Sequence, residues 1–166
     1  MNFSTDILSL FADKWALVTA GVIDDFNTMT ISWGGMGTIW NKPVATVYVK
    51  PVRYTHDFME KNEFFTVSFF SEEHRDALKL LGSRSGRDCD KVALSGLTAV
   101  PCAEGRVTFR EAETTLLCRK IYSQDLDISA VPPDARRTYY SSEAPHTMYI
   151  GEIVSVLDGR QTYIVD

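Results

Sequence analysis

Three short stretches gather residue types that can hold an anion or a planar ligand. The first is Asn27-Thr28-Met29-Thr30-Ile31-Ser32-Trp33, followed at once by Gly34-Gly35. Read as a strand, it sets the hydroxyls of Thr28, Thr30 and Ser32 on one face and Met29, Ile31 and Trp33 on the other. The hydroxyl face adjoins a glycine-rich turn where backbone N–H groups can approach a ligand closely. A solvated Thr/Ser face on an ordinary barrel strand is the competing reading. The second stretch is Arg53-Tyr54-Thr55. With Thr55 as N-cap, the helix that follows keeps open N–H groups in its first turn, its dipole favours an anion, and Arg53 adds a fork of donors. A phosphate suits that chemistry; a plain cap beside a surface arginine accounts for it equally. The third is Ser83-Arg84-Ser85-Gly86-Arg87-Asp88-Cys89-Asp90-Lys91, with two hydroxyls, a glycine and three cations. It can form an oxyanion cradle. Asp88 and Asp90 partly neutralise it, so a solvated charged loop stays open as the alternative.

Other chemistries lack their residues. No GxGxxG follows a strand, and GxxxxGK[ST], HExxH and GxSxG are missing. His56, His74 and His146 do not have metal-ligand spacing, and Cys89, Cys102 and Cys118 contain no CxxC, so no metal site is expected. An odd set of widely spaced cysteines fits free thiols in a reduced, cytoplasmic protein.

The elements that must position these stretches follow from size and pattern. The chain has 166 residues with 17 basic and 22 acidic side chains, a formal charge of 17 − 22 = −5. Its 45% hydrophobic and 23% charged content is that of a globular protein. The length predicts one domain, residues 1–166, without room for a full dinucleotide-binding domain beside a catalytic one. Mild acidity gives no footprint for nucleic acid. No apolar run reaches the ~20 residues that span a membrane. Residues 1–15 carry Asp6 and Asp13 without a basic start and long apolar stretch, unlike a signal peptide.

A helix is predicted from a Ser4 or Thr5 cap to Trp15, with Ile7, Leu8, Leu10 and Phe11 inward. Strands are predicted at residues 16–20, 28–33, 43–49, 64–70, 113–122 and 147–157, with a turn at 24–27. Gly34 to Gly37 should break the second strand. Aromatic residues on both faces of 64–70 predict cover on both, in a barrel core or at a subunit contact. Helices are expected from Thr55 with Phe58 and Met59 inward, from Ser71 to Leu81 with Gly82 as terminator, and over residues 88–94. Val131-Pro132-Pro133-Asp134 reads as a loop, and Arg136-Arg137-Thr138-Tyr139-Tyr140 carries no assignment. Strands, then a helical middle, then strands do not alternate as βαβ. They predict a mainly β fold, an antiparallel barrel with helical insertions.

In order along the chain come Asn27 to Trp33, residues 42–49, Arg53-Tyr54-Thr55, Phe64 to Phe70, Ser85-Gly86-Arg87-Asp88-Cys89-Asp90-Lys91, and His146-Thr147-Met148-Tyr149-Ile150-Gly151-Glu152-Ile153. In that order and spacing the chain resembles the flavin reductase-like, FMN-binding split-barrel family, close to its flavoredoxin-type members. The resemblance runs from about Ala16 to Val156. It implies a split antiparallel β-barrel homodimer with FMN near the interface. It assigns Asn27, Thr28, Met29, Thr30, Ser32 and Trp33 to the flavin ring and ribityl chain, and Arg53, Tyr54, Thr55, Ser85, Arg87 and Lys91 to the phosphate side. His146 opens the late strand that lies near the flavin in relatives, with a structural role as its alternative. The implied function is an oxidoreductase passing electrons from NAD(P)H through FMN to flavin or another acceptor. An FMN electron carrier fed by a reduced protein donor, and a non-redox barrel binding another small ligand, are the alternatives. The segment from Arg136 to Tyr140 matches no family motif and is a candidate gate.

Overall fold

The computed structural model describes residues 7–159 and the backbone of residues 161–164. In chain order the elements are α1 (Ile7–Ala12), β1 (Ala16–Val22), β2 (Asp25–Ile31), β3 (Gly34–Ile39), β4 (Lys42–Val49), α2 (Tyr54–Lys61), β5 (Phe64–Phe69), α3 (Arg75–Ser83), α4 (Lys91–Ser95), β6 (Ala99–Pro101), β7 (Val107–Phe109), β8 (Thr114–Asp125), α5 (Pro133–Tyr139), β9 (Thr147–Asp158) and β10 (Gln161–Ile164). No described helix is long and apolar enough to cross a membrane.

One antiparallel sheet runs in the order β2-β1-β5-β8-β9-β4-β3, with β10 added on β9. Its two terminal strands, β2 and β3, are consecutive in the chain and joined only by Ser32 and Trp33. The three Cα–Cα steps from Ile31 to Gly34 span at most about 11 Å, so the sheet must curl until its ends meet at one corner. There the strands are linked covalently but not paired. The fold is therefore a split antiparallel barrel, with β6 and β7 as a separate ribbon.

Alternation along the strands fills two cores. Val18, Ala20, Val47, Val49, Phe65, Val67, Phe69 and Leu116 fill the barrel, plugged by Phe58 and Met59 of α2 and by Leu10 and Phe11 of α1. On the other face of β1 and β5, Leu17 and Phe70 meet Leu78 and Leu81 of α3, Leu97 and Phe109. The strand at 64–70 is covered on both faces, as its pattern predicts. The barrel interior takes Phe65, Val67 and Phe69. Behind it Thr66 donates to the Val107 carbonyl at 2.6 Å, and Ser68, Thr108 and Thr115 share their hydroxyls.

Several local expectations change. Of the four apolar residues assigned to the first helix, Leu10 and Phe11 turn inward while Ile7 and Leu8 are exposed; the Ser4 or Thr5 cap lies outside the described residues. Gly34 to Gly37 do not end the sheet but form β3, because β4 supplies the ladder partners and Trp40 and Asn41, both at positive φ, make a two-residue hairpin turn. The helix expected over 71–81 is a 3₁₀ turn, Glu72–His74, followed by α3, which carries Gly82 inside its last turn. Ser71 does not cap it, since its hydroxyl donates to the Glu73 carboxylate at 3.0 Å. The unassigned residues 136–139 lie in α5, whose first residue is Pro133.

Gly34 holds the closing corner. A Cβ there would lie 2.4 Å from the Phe11 ring and 2.9 Å from the Thr46 carbonyl oxygen. Gly34→Ala should lower unfolding free energy by about 1–3 kcal/mol, the usual cost of overpacking. Urea denaturation measures it, and an unchanged midpoint would show that the corner has slack.

Candidate functional site

The split corner opens into a cleft of about 530 Å³. Its walls come from the end of β2 with Ser32 and Trp33, the start of α2, the end of α3 with the loop after it, and the segment from Tyr139 to His146. All three stretches singled out in the sequence reach it.

The α2 end is built differently from its prediction. Arg53, not Thr55, stands at the N-cap, and it makes no side-chain cap bond. Thr55 is buried inside the first turn, where its hydroxyl accepts from Asn27 Nδ2 at 2.7 Å. That bond joins β2 to α2 and leaves the first-turn N–H groups without a side-chain cap. Gly86 packs onto the same Asn27: a Cβ there would sit 2.2 Å from Asn27 Oδ1. The glycine is what lets the loop after α3 close against β2.

Cations collect around the C-terminus of α3. Arg53 Nη1 reaches the Gly82 carbonyl at 3.4 Å. Lys91, almost fully buried, donates to the carbonyls of Leu81 and Arg84, both at 3.1 Å. Helix-end carbonyls carry partial negative charge and satisfy such donors. Burial, then the charge of Arg53, lowers the Lys91 pKa to about 8. Four cations, Lys50, Arg53, Arg84 and Lys91, line the cleft against one carboxylate, Glu143. On a chain with a formal charge of −5, that is a local reversal of sign suited to an anion.

Of the residues named from sequence, Asn27, Met29, Thr30, Ser32, Trp33, Arg53, Tyr54, Thr55, Ser85, Lys91 and His146 line the cleft. Thr28 and Arg87 do not. Thr28 is fully buried, sharing its hydroxyl with Thr19 at 2.8 Å and donating to the Val18 carbonyl at 3.2 Å. Arg87 pairs with Asp57 at 2.8 Å and stacks over the Tyr54 ring at 4.6 Å. It thus braces a cleft residue from behind. The Thr/Ser face is solvated only at its end: Ser32 is exposed, whereas Thr28 is buried and Thr30 is half-buried and donates to the Leu78 carbonyl of α3 at 2.5 Å.

Sequence reading assigned no site role to Tyr48, Lys50 and Glu143, whereas Arg84 stands in the third stretch and Tyr139 in the candidate gate, and all five line the cleft. Tyr48 sits between Val47 and Val49, which face the core, so its alternation was a usable signal. Tyr139 and Glu143 come from a segment whose placement no local pattern encodes.

At the other end of the cleft, Trp33 meets Tyr139 edge-on at 5.0 Å and His146 at 5.0 Å. His146 Nδ1 bonds the Tyr140 hydroxyl at 2.9 Å. Burial, then Lys50 and Arg53, lowers the His146 pKa to about 4, so the ring is neutral at pH 7. Nearby, His56, Thr147 and Asp125 have the types of a nucleophilic triad but not its proton order. Thr147 donates to Asp125 at 2.6 Å, so its oxygen can only accept from His56 at 3.0 Å. With Tyr149 donating to Glu60 at 2.6 Å, this network pins α2 to β8 and β9.

A split barrel whose corner cleft is lined by cations and aromatic rings defines a small-ligand-binding protein. The chain belongs to the flavin reductase like domain family, whose model matches residues 8–163; it is a flavin-related, oxidoreductase-like protein. No curated protein matches it. Among solved structures, the FMN-binding protein from Thermus thermophilus with bound 1-cyclohex-2-enone superposes with a TM-score of 0.70 at 20% identity, over 96% of this chain and 80% of that one. Flavoredoxin from Methanosarcina acetivorans gives 0.70 at 21%, over 92% and 71%. Flavoredoxin of Desulfovibrio vulgaris (Miyazaki F) gives 0.67 at 21%, over 92% and 86%. These likenesses are of fold.

The His146 shift fixes a pH window. Its pKa falls from 6.5 to about 4 in the folded chain, so the fold favours the neutral ring. That contribution is complete above pH 6.5 and is lost as pH drops toward 4. Urea denaturation between pH 7 and 4 should show stability falling across this window, and His146→Gln should flatten the fall. An equally steep fall in the variant would assign the effect to other groups.

Proposed function

We propose that the cleft binds FMN and that the protein is an oxidoreductase that takes electrons from NAD(P)H and passes them to flavin or another acceptor. The observation that carries this reading is the cation excess of the cleft, Lys50, Arg53, Arg84 and Lys91 against Glu143, beside aromatic walls at its other end. The residues fit the group. Arg53, Arg84, Ser85 and Lys91 supply the donor set for a phosphate, and the first-turn N–H groups of α2 add to it. Met29, Ile31, Tyr54 and Trp33 supply surface for a planar ring system. FMN, when bound, supplies hydride and single-electron chemistry. The chain's part is to hold the phosphate, orient the ring and shield one of its faces; Lys91 and Arg53 also put positive charge where an anionic ligand gains from it. The three cysteines are free thiols, which suits a cytoplasmic protein.

We also propose a homodimer. The outward face of β4 and β9 sets Thr46 and Tyr48 beside Ile150 and Met148, all half-buried. Gly35 and Gly37 on β3 leave open space next to it. A second copy laid there would border the cleft through Tyr48. Light scattering on the FMN-loaded protein should give twice the chain mass, and a monomer that keeps FMN would refute the dimer.

The purified protein should take up FMN and turn yellow, then bleach anaerobically with NADH or NADPH. Bleaching only by a reduced protein donor would assign an electron carrier, and failure to take up FMN would end the redox reading. Arg53→Ala should weaken FMN more than riboflavin by roughly 1.5–3 kcal/mol, the worth of a hydrogen bond to a charged group. Equal losses for both flavins would show that Arg53 does not hold the phosphate.

A further inference from the structure

The segment from Val131 to His146 lies across the Trp33 end of the cleft on few attachments. Its helix α5 buries no residue. Three side-chain links hold it at the cleft. The Tyr139 ring stands edge-on to Trp33 at 5.0 Å. The His146 ring also meets Trp33 at 5.0 Å, and within the segment its Nδ1 bonds the Tyr140 hydroxyl at 2.9 Å. Lys50 Nζ donates to the Tyr139 carbonyl at 3.1 Å and is ion-paired with Glu143. A segment held by partly exposed polar links and no buried apolar residue opens locally at low cost.

Charge makes the third link specific. Arg53 and Lys91 are engaged with the carbonyls of Gly82, Leu81 and Arg84 at the α3 end of the cleft. Lys50 is the cation bonded to the segment at the Trp33 end, with the charge of Arg53 also felt there, and its carboxylate partner comes from the segment itself. The Lys50 side chain is 19% exposed and that of Glu143 48%, so the lysine is fixed in the wall while the carboxylate sits on the solvent side. The neighbouring His146 is neutral at pH 7 and does not compete for an anion.

We propose that residues 131–146 are a lid, and that a ring-bearing carboxylate opens it by replacing Glu143 on Lys50 and Tyr139 against Trp33. Glu143 and Tyr139 are then the lid's own stand-ins for the carboxylate and ring of that ligand. Lys50 acts as a positioning residue for the lid in one state and as the anion partner in the other. The inference deepens the redox reading, since the ligand admitted is the electron acceptor, but the latch itself is testable without flavin.

Arg136 and Arg137, exposed within α5, make the lid a trypsin target. Limited digestion of the full chain, with fragments mapped by mass, reads the open population when closing outpaces cutting. Glu143→Gln and Lys50→Gln should each speed cleavage after Arg136 or Arg137 by about two- to fivefold, the loss expected for a partly exposed ion pair. Cleavage elsewhere and the unfolding midpoint should not move, and Lys50→Arg should restore protection. Millimolar benzoate should speed the same cut in the wild-type chain, benzamide should not, and Lys50→Gln should abolish the benzoate effect. Unchanged cleavage in both variants would overturn the latch. Equal action of benzoate and benzamide, or protection by benzoate, would overturn the carboxylate exchange. FMN uptake, read by visible absorption on the same preparations, separates the two ideas. A lid that responds in a chain that takes no FMN keeps the latch and refutes the redox reading; the reverse result does the opposite.

Discussion

The two-residue link between β2 and β3 is the constraint on which the rest depends. Ser32 and Trp33 join strands that stand at opposite ends of the sheet order, so the sheet has to curl and its ends have to meet. At the meeting point β2 and β3 are not paired, because Ser32 and Trp33 turn a corner there and do not form a hairpin. A split remains, and the cleft is that split. Gly34 makes the corner tight enough for Phe11 to close the barrel beneath it. Core packing and ligand site are consequences of one closure.

Around the split, helix ends do the electrostatic work. The start of α2 presents N–H groups, and the end of α3 presents carbonyls that hold Arg53 and Lys91 in place. Arg53 and Lys91 are thus oriented by backbone carbonyls and not by acidic partners, which would cancel their charge. That is how a chain with a formal charge of −5 sustains a positive cleft. The burial that lowers the Lys91 pKa is the cost of that arrangement, and an anion in the cleft would offset it.

The two ends of the cleft differ in rigidity. The α2 and α3 side is tied into both hydrophobic cores and braced by Arg87, Asn27 and the Tyr149–Glu60 pair. The Trp33 side is closed by a segment with no buried residue. A firm end suits a ligand that stays, and a loose end suits one that comes and goes.

Much of this was legible in the sequence because it is local. Alternation marks β2, apolar, β-branched and aromatic runs mark β1, β4, β5, β8 and β9, and the clustering of Arg53-Tyr54-Thr55 and Ser85 to Lys91 marks the cationic end of the cleft. Residue type alone, however, could not say which way side chains turn. Thr28 and Thr30 read as a polar face, yet Thr30 donates to α3, and Thr28 spends its hydroxyl on Thr19 and the Val18 carbonyl. Thr55 reads as a cap, yet Asn27, 28 positions away, claims it. Gly34 to Gly37 read as a breaker, yet pairing with β4 makes them a strand. Glu143 was invisible, and Tyr139 was only part of a segment without an assigned element, because their role exists only where the chain returns to Lys50, some 90 positions away. Sequence determined the elements and the chemical types available to the site, because periodicity and clustering act over a few residues. Tertiary structure decided which of those groups face the cleft, because that depends on barrel closure and on partners distant in the chain.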